Sequence, residues 1–546
     1  MPPEQLFPIL TAAQVARVAA HGETRRAPAG EVLLEAGQAV NRFFVVTGGE
    51  VDIVRPGFDG ERLVVRYQPG QFTGDVNHLS GRPGLTDVRA HTDAEVIQLD
   101  RDRLLRLVQT DGELGDILMR AFVFRRLVMI REGIGDVVVL GSPYCGGTLR
   151  LQEFLSRNGH PYSFLDLDHD PGVQELLDRF HIGSGDVPVV ICRGTTVLRN
   201  PSNQQLADCL GFNEAIDETQ LRDVVIIGAG PSGLAAAVYG ASEGLDVLVV
   251  EGDAPGGQAG SSSKIENYLG FPMGVSGAEL ATRAYTQAQK FGAQILIARR
   301  ANRLACERRP YAVEVDGALS VPARAVVIAT GVTYRKPDVA NLLRFEGAGV
   351  YYAATAIEAR LCADADVIVI GGGNSAGQAA VFLSQTARHV HVLVRSGGLA
   401  ETMSRYLIRR IEDNPKITLR THTEIVGLDG DRRLAQVTWR HNETGASETW
   451  PIAHVFVMAG AVPNSHWLEG CVALDEKGFV KTGQSLTLED LAAAKWPLPR
   501  PPLLFETSLP GVFAVGDIRG GNMKRVASAV GEGSIAIALA HQVLRE

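Results

Sequence analysis

Residues 222–251 read Arg-Asp-Val-Val-Ile-Ile-Gly-Ala-Gly-Pro-Ser-Gly-Leu-Ala-Ala-Ala-Val-Tyr-Gly-Ala-Ser-Glu-Gly-Leu-Asp-Val-Leu-Val-Val-Glu. An apolar strand runs into Gly228, Gly230 and Gly233, an Ala-rich helix follows, and a second apolar strand ends on Glu251. The first glycine permits a tight turn, the second lets a pyrophosphate approach the backbone, and the third lets helix pack on strand. The helix N-terminus offers free N–H donors and a positive dipole end to the phosphates. The device returns as Val-Ile-Val-Ile-Gly371-Gly-Gly373-Asn374-Ser-Ala376, and its second strand ends at Arg395. Two such units, each with strand, helix and strand in register, predict two bound dinucleotides.

The strand ends assign them. A carboxylate at Glu251 suits a free ribose diol, as in FAD or NAD, whereas an arginine at Arg395 suits the 2′-phosphate of NADP. The first unit therefore reads as the FAD site and the second as the NADPH (or NADH) site, with Ser396, Arg405 and Arg409 close enough in sequence to help hold the phosphate. Further segments complete the flavin site. Val326-Val-Ile-Ala-Thr-Gly331 is a buried strand closing on a small turn. Gly511-Val-Phe-Ala-Val-Gly516-Asp517 delivers a carboxylate to a strand's C-terminal end, where α/β folds place ligands. Arg525, Val526 and Ala527 open a small-residue helix facing the flavin, and Gly257, Gln258 and Asn267 are spaced to line its ring.

With these motifs, residues 222–546 resemble a bacterial-type thioredoxin reductase of the pyridine nucleotide-disulphide oxidoreductases. The resemblance implies an FAD domain in two pieces, 222–338 and 464–546, around an NAD(P)H domain at 339–463. It also implies a homodimer and hydride transfer from NADPH to FAD. The family's redox-active Cys-x-x-Cys pair should precede the second glycine motif. Here the segment is Val350-Tyr-Tyr-Ala353-Ala-Thr-Ala356, with alanine at both cysteine positions. Reduction of thioredoxin by the usual dithiol route is contradicted, since exchange needs two thiols there. Ferredoxin, flavodoxin or quinone reduction, oxidase activity, and a redox sensor without turnover stand as alternatives, and the electron acceptor is open.

Upstream, Gly30 to Leu99 alternates in short strand-like runs punctuated by Thr47-Gly-Gly and Pro69-Gly70, with helices expected at 11–21 and 101–131. This predicts a small β-barrel or jelly roll. Val45-Val-Thr-Gly-Gly-Glu-Val and Pro69-Gly-Gln-Phe-Thr-Gly74-Asp75 make 5–131 resemble a cyclic nucleotide-binding domain. The resemblance implies a ribose-gripping Glu and a phosphate-gripping Arg. Asp75 stands in the first position and Gly84 in the second, so Gly74, Asp75 and Arg82 are the candidate ligand residues, with Arg89 a further compensating cation. A structural or altered-ligand sensor, regulating the reductase and taking at most an unidentified nucleotide effector, is the favoured reading.

Residues 136–212 run strand, helix (148–157), strand, helix (171–181), strand, with Pro188 entering the last strand. This resembles a thioredoxin or glutaredoxin fold, in which that proline is cis. The active-site position reads Ser142-Pro-Tyr-Cys145-Gly-Gly-Thr148, leaving a single cysteine at a helix N-terminus, where the dipole favours the thiolate. Cys145 is the candidate catalytic residue, and a redox-inactive adaptor with an incidental cysteine is the reading favoured over a working monothiol site.

The fold expected is thus multidomain: a barrel, a thioredoxin-like α/β unit and two Rossmann-type α/β domains. Its 546 residues, 60 glycines and 45% hydrophobic content support several real cores. A net charge of −9 without a basic block argues against nucleic acid. No apolar run was expected to reach the ~18 residues of a membrane span. The six cysteines show no metal spacing and, with no signal peptide read, are expected to be reduced in a cytoplasmic protein.

Overall fold

The computed structural model describes residues 3–55, 61–132, 135–167, 169–170, 173, 177, 183, 186–262, 264–400, 402–431 and 433–546. At the N-terminal side, two antiparallel sheets face each other. One orders Glu23–Ala27, Ala94–Asp100 and Arg42–Gly48; the other orders Val32–Leu34, Asp87–Ala90, Val51–Arg55 and Arg62–Tyr67. Phe43, Phe72 and Phe122 fill the space between the first of these sheets and the helices that follow it with fully buried rings. The helix expected over 101–131 is two helices, Arg101–Thr110 and Gly112–Arg131. Asp111 takes an extended conformation and its carboxylate accepts from the Leu114 N–H, so it caps a new helix instead of continuing the old one.

The middle unit has a four-stranded sheet ordered Thr196–Arg199, Val189–Cys192, Val137–Gly141 and Ser163–Asp166. Its first strand was not anticipated. The Gly146–Arg157 helix packs on this sheet, and the Val187–Pro188 bond is cis. The helix expected at 171–181 lies largely outside the described residues.

The flavin-type domain is built on a parallel run of Gln294–Ile297, Val247–Glu251, Arg222–Ile227, Leu319–Ile328 and Val512–Ala514, the last strand coming from the chain's final segment. These strands are near-continuous apolar runs because helices cover them. Between Tyr334 and Ala461 the chain builds a second parallel sheet, ordered Val350–Tyr351, His454–Val457, Asp366–Ile370, His389–Leu393 and Ile417–Arg420. A two-stranded antiparallel crossing of Val332–Tyr334 with Ala461–Pro463 carries the chain in and out of this insertion.

Two expectations are corrected. Cys306 and Cys471 form a disulfide across 165 residues of sequence, so the cysteines are not all reduced thiols. Each flanks an element of the same apolar cluster, which brings their Cα atoms to 5.9 Å. The Val526–Leu544 helix is also long and apolar enough to cross a membrane by length and composition. Its Ala536, Ile537 and Ala540 are fully buried in the flavin-type domain's core, and it packs on the Pro231–Ser242 helix. Its apolarity therefore serves packing.

Candidate functional site

Gly228 has φ +102°, and a Cβ there would run into the Ala329 carbonyl; a Cβ at Gly233 would run into the Gly228 carbonyl. At Gly230 a Cβ would meet nothing within 4 Å. Turn and helix packing are thus taken up by protein, while the middle glycine faces open space at the N-cap of the Pro231–Ser242 helix. The second motif repeats this. Gly371, at φ +136°, sits against the Met458 carbonyl, and Gly373 faces open space as N-cap of Asn374–Leu383. Ala376 is fully buried against this turn, and the Asn374 Oδ1 accepts from the Ser404 N–H at 2.8 Å. Both open spaces lie at helix N-termini, where unpaired N–H groups and the dipole favour an anion.

Glu251 ends its strand buried. Its carboxylate accepts from the Ala229 N–H at 2.6 Å and the Asp253 N–H at 2.9 Å. Burial pushes its carboxyl up, and the two N–H donors oppose that. The chain thereby ties the acid to the glycine turn. Gly257 touches Gly230, with 3.1 Å between its Cβ position and the Gly230 Cα. Gly331, at φ +60°, faces open space, and Asn464 pins this turn through the Thr330 carbonyl at 2.8 Å and the Thr333 hydroxyl at 2.7 Å. Asp517 follows Gly516 at the end of Val512–Ala514, and its carboxyl is pushed up by burial. Arg525 is the N-cap of the helix whose first turn holds Val526 and Ala527.

Sequence reasoning missed what orders the Asp517 turn. Glu532, buried on the Val526–Leu544 helix, accepts from the Gly516 N–H at 2.7 Å, from Arg519 Nη2 at 2.6 Å and from Asn522 Nδ2 at 2.9 Å. An acid inside a helix of small apolar residues was the available signal. Asn267 lies exposed on the loop after Ile265.

A cleft between the two Rossmann-type domains is lined by Gln258 and Tyr334 on one side and by Tyr352, Ala353, Ala354 and Ser375 on the other. The Tyr334 hydroxyl donates to the Ser375 Oγ at 3.0 Å, joining the walls. Ala353, one of the two expected cysteine positions, therefore shares a cleft with Gln258. Ala356 opens the Ala356–Leu361 helix. Arg395 and Ser396 are exposed just beyond His389–Leu393, and Arg405 is the exposed first residue of Arg405–Glu412. Thr402 donates to the Gly372 carbonyl at 2.7 Å, so the segment between these cations folds back on the glycine motif.

In the middle unit Cys145 is the half-buried N-cap of Gly146–Arg157, and Pro188 abuts Gly147. Its loop is docked on the insertion: the Arg433 guanidinium lies 3.1 Å from the Tyr144 ring centroid, and Gly146 touches Gly347 backbone to backbone. Leu149 joins the apolar cluster of Tyr351 and Ala354. On the other side Arg157 reaches Asp253 at 3.2 Å and the Gly257 carbonyl at 3.1 Å.

In the barrel, Asp75 is already engaged. Burial alone would raise its carboxyl, but Arg126, His78 and the Asn77 N–H hold it down at about 2. A Cβ at Gly74 would meet Phe122 at 2.9 Å and His78 at 3.3 Å, so side chains fill the space before it. Arg82 turns out of the barrel and is buried against the flavin-type domain. The three candidate ligand residues are thus not gathered around an open pocket.

Residues 222–533 match the family described as pyridine nucleotide-disulphide oxidoreductase, and 24–111 match the cyclic nucleotide-binding domain. Thioredoxin reductase of Mycolicibacterium smegmatis is 34% identical over 326 residues, covering 60% of this chain and 97% of the relative. NADPH-dependent thioredoxin reductase 3 of Arabidopsis thaliana is 30% identical over 368 residues, 64% of this chain and 65% of the relative. The solved thioredoxin reductase of Lactococcus lactis superposes with a TM-score of 0.53 at 25% identity, over 59% of this chain and 99% of that one.

Proposed function

Because the chain belongs to the pyridine nucleotide-disulphide oxidoreductase family, with a cyclic nucleotide-binding domain ahead of a thioredoxin reductase-like core, we propose that it is a homodimeric, FAD-dependent NADPH oxidoreductase that serves an acceptor other than free thioredoxin. The observation that carries this reading is Ala353 in the cleft beside Gln258: the wall that needs a thiol for disulfide exchange presents a methyl group.

The fit of the cofactors rests on the open spaces at Gly230 and Gly373. Gly228, Gly230 and Gly233 would hold the FAD pyrophosphate at the helix N-terminus, with Glu251 and Asp517 accepting from ribose or ribityl hydroxyls. Gly371, Gly373 and Asn374 would hold the nicotinamide dinucleotide, with Arg395 on its 2′-phosphate. Bound FAD supplies hydride acceptance from NADPH and onward delivery of one or two electrons. The chain's own residues set position and access: Asn464 and Glu532 fix the two turns, and Tyr334 with Ser375 holds the cleft walls together.

Docking of the Cys145 loop on residues 346–347 supports the exclusion of free thioredoxin, since a covalently attached domain of similar fold already lies there. The barrel's regulatory role is supported by the burial of Arg82 in its contact with the core.

Steady-state NADPH oxidation by the full chain, offered quinones, ferricyanide, ferredoxin or flavodoxin, oxygen, and thioredoxin, tests the proposal. Turnover is expected with at least one non-thiol acceptor, to be unchanged in Cys145→Ser, and to be negligible with thioredoxin. Robust thioredoxin reduction that vanishes in Cys145→Ser would overturn it. FAD binding without turnover on any acceptor would instead support the sensor reading.

A further inference from the structure

The loop packed against the first glycine motif is held from outside its own domain. Arg157 is the last residue of the Gly146–Arg157 helix in the middle unit, and its side chain is 15% exposed. Its Nη1 meets the Asp253 carboxylate at 3.2 Å, and its Nη2 donates to the Ala254 and Gly257 carbonyls at 3.1 Å each. Asn203, also of the middle unit, donates to the second Asp253 oxygen at 2.7 Å. From inside, the same loop abuts the motif. The Gly256 N–H donates to the Ala229 carbonyl at 2.7 Å, and a Cβ on Gly257 would stand 3.1 Å from the Gly230 Cα.

From these bonds we infer that Arg157 is a positioning residue of the flavin site, supplied by the middle unit: it holds the 253–257 loop against Gly230, so that tight FAD binding needs a side chain from another domain. The inference rests on the proposed FAD site at Gly230.

The loop is of a kind that gains from such a tether. Gly256 and Gly257 stand at φ +100° and +53°. Glycine adopts these left-handed conformations without steric cost, but it loses more conformational freedom on ordering than any other residue. A guanidinium is a planar fork of donors, and here it spans a carboxylate and two carbonyls at once, whereas an ammonium offers a single nitrogen. Glu153, one turn earlier on the helix, lies 3.6 Å from Nη1 and adds to the balance of charge. Gln258 follows directly on Gly257 and lines the cleft between the two Rossmann-type domains, so the tether bears on that wall as well.

The test is titration of FAD into the FAD-free, full-length protein, read by flavin absorption and fluorescence, for the wild type, Arg157→Ala and Arg157→Lys. Arg157→Ala should weaken FAD binding by about ten- to a hundredfold. At saturation its flavin should show an altered absorption band shape and fluorescence yield, because the loop beside Gly230 is no longer fixed. Arg157→Lys keeps the charge but not the fork, and should recover only part of the affinity. Lowered stability of Arg157→Ala with wild-type affinity and spectrum would make Arg157 a domain contact alone and would overturn the inference, while leaving the proposed FAD site standing. A wild type that takes up no FAD would overturn both. If Arg157→Ala does not fold, Arg157→Lys decides: wild-type affinity and spectrum in that variant would overturn the inference.

Discussion

Arg82 of the barrel donates from Nη2 to the Tyr285 hydroxyl of the flavin-type domain at 2.7 Å, across 203 residues of sequence. Its guanidinium also lies 4.1 Å from the centroid of the Phe212 ring, in the segment that joins the middle unit to the core. The barrel, the end of the middle unit and the flavin-type domain meet on this side chain, which is 5% exposed and has no carboxylate partner among the described residues. Among those residues its Nε is buried without a hydrogen-bond partner and the Tyr285 hydroxyl is the one acceptor for the guanidinium, so losing it leaves a buried charge still less satisfied.

Tyr285→Phe removes the acceptor and leaves a buried charged donor unpaired, at a cost of about 1–3 kcal/mol. The expected result is a lowered first transition in thermal unfolding and faster proteolysis between the barrel and the core, with flavin content unchanged. A melting curve identical to the wild type would show that the contact contributes nothing to docking.

Asp75 yields a pH prediction. Its folded carboxyl ionises at about 2 against an ordinary 3.8. Its stabilising contribution, roughly 2 kcal/mol, is therefore present above pH 3.8 and is lost as pH falls through about 2. Asp75→Asn should destabilise the barrel at pH 7 because Arg126 loses its charge partner. Denaturant unfolding should show that deficit shrinking as pH drops below 3.8. A deficit independent of pH would point to packing rather than charge.

The glycine motifs, Glu251 and Asp517 were legible in the sequence because their constraints are local: a positive φ, a strand end, a helix start. The same holds for Pro188 beside the Cys145 helix. Arg82 read as a ligand residue because its place in the cassette is local, while its partner Tyr285 is not. The Cys306–Cys471 pair was hidden for the same reason, its spacing resembling no motif. The break at Asp111 has a different character, since an Asp followed by Gly inside a helix-compatible stretch is itself a local capping signal.

The disulfide joins the two pieces of the flavin-type domain that the insertion separates, Cys306 in the first and Cys471 in the second. Closing so long a loop restricts the unfolded chain, and in the chain-entropy account contributes about 2–5 kcal/mol. Cys471→Ser, or reduction of the wild type, should lower the temperature at which flavin fluorescence is released. Equal release temperatures with and without reductant would mean that the apolar cluster around Leu304 and Val472 alone holds the pieces together.

Arg395 is exposed beside the second glycine motif, and no carboxylate pairs with it among the described residues. An arginine left free at that place is available for a 2′-phosphate, and charge-assisted bonds of that kind contribute about 1.5–3 kcal/mol. Arg395→Ala should therefore raise the KM for NADPH by about ten- to a hundredfold, leave the KM for NADH nearly unchanged, and leave kcat with either donor intact. The separation matters because Thr402 and Ser404 tie the neighbouring segment to Gly372 and Asn374. A substitution that disturbed this tie would weaken both nucleotides equally. Parallel loss for NADPH and NADH would assign Arg395 to holding the loop, whereas selective loss of NADPH would make it the residue that selects the phosphorylated donor.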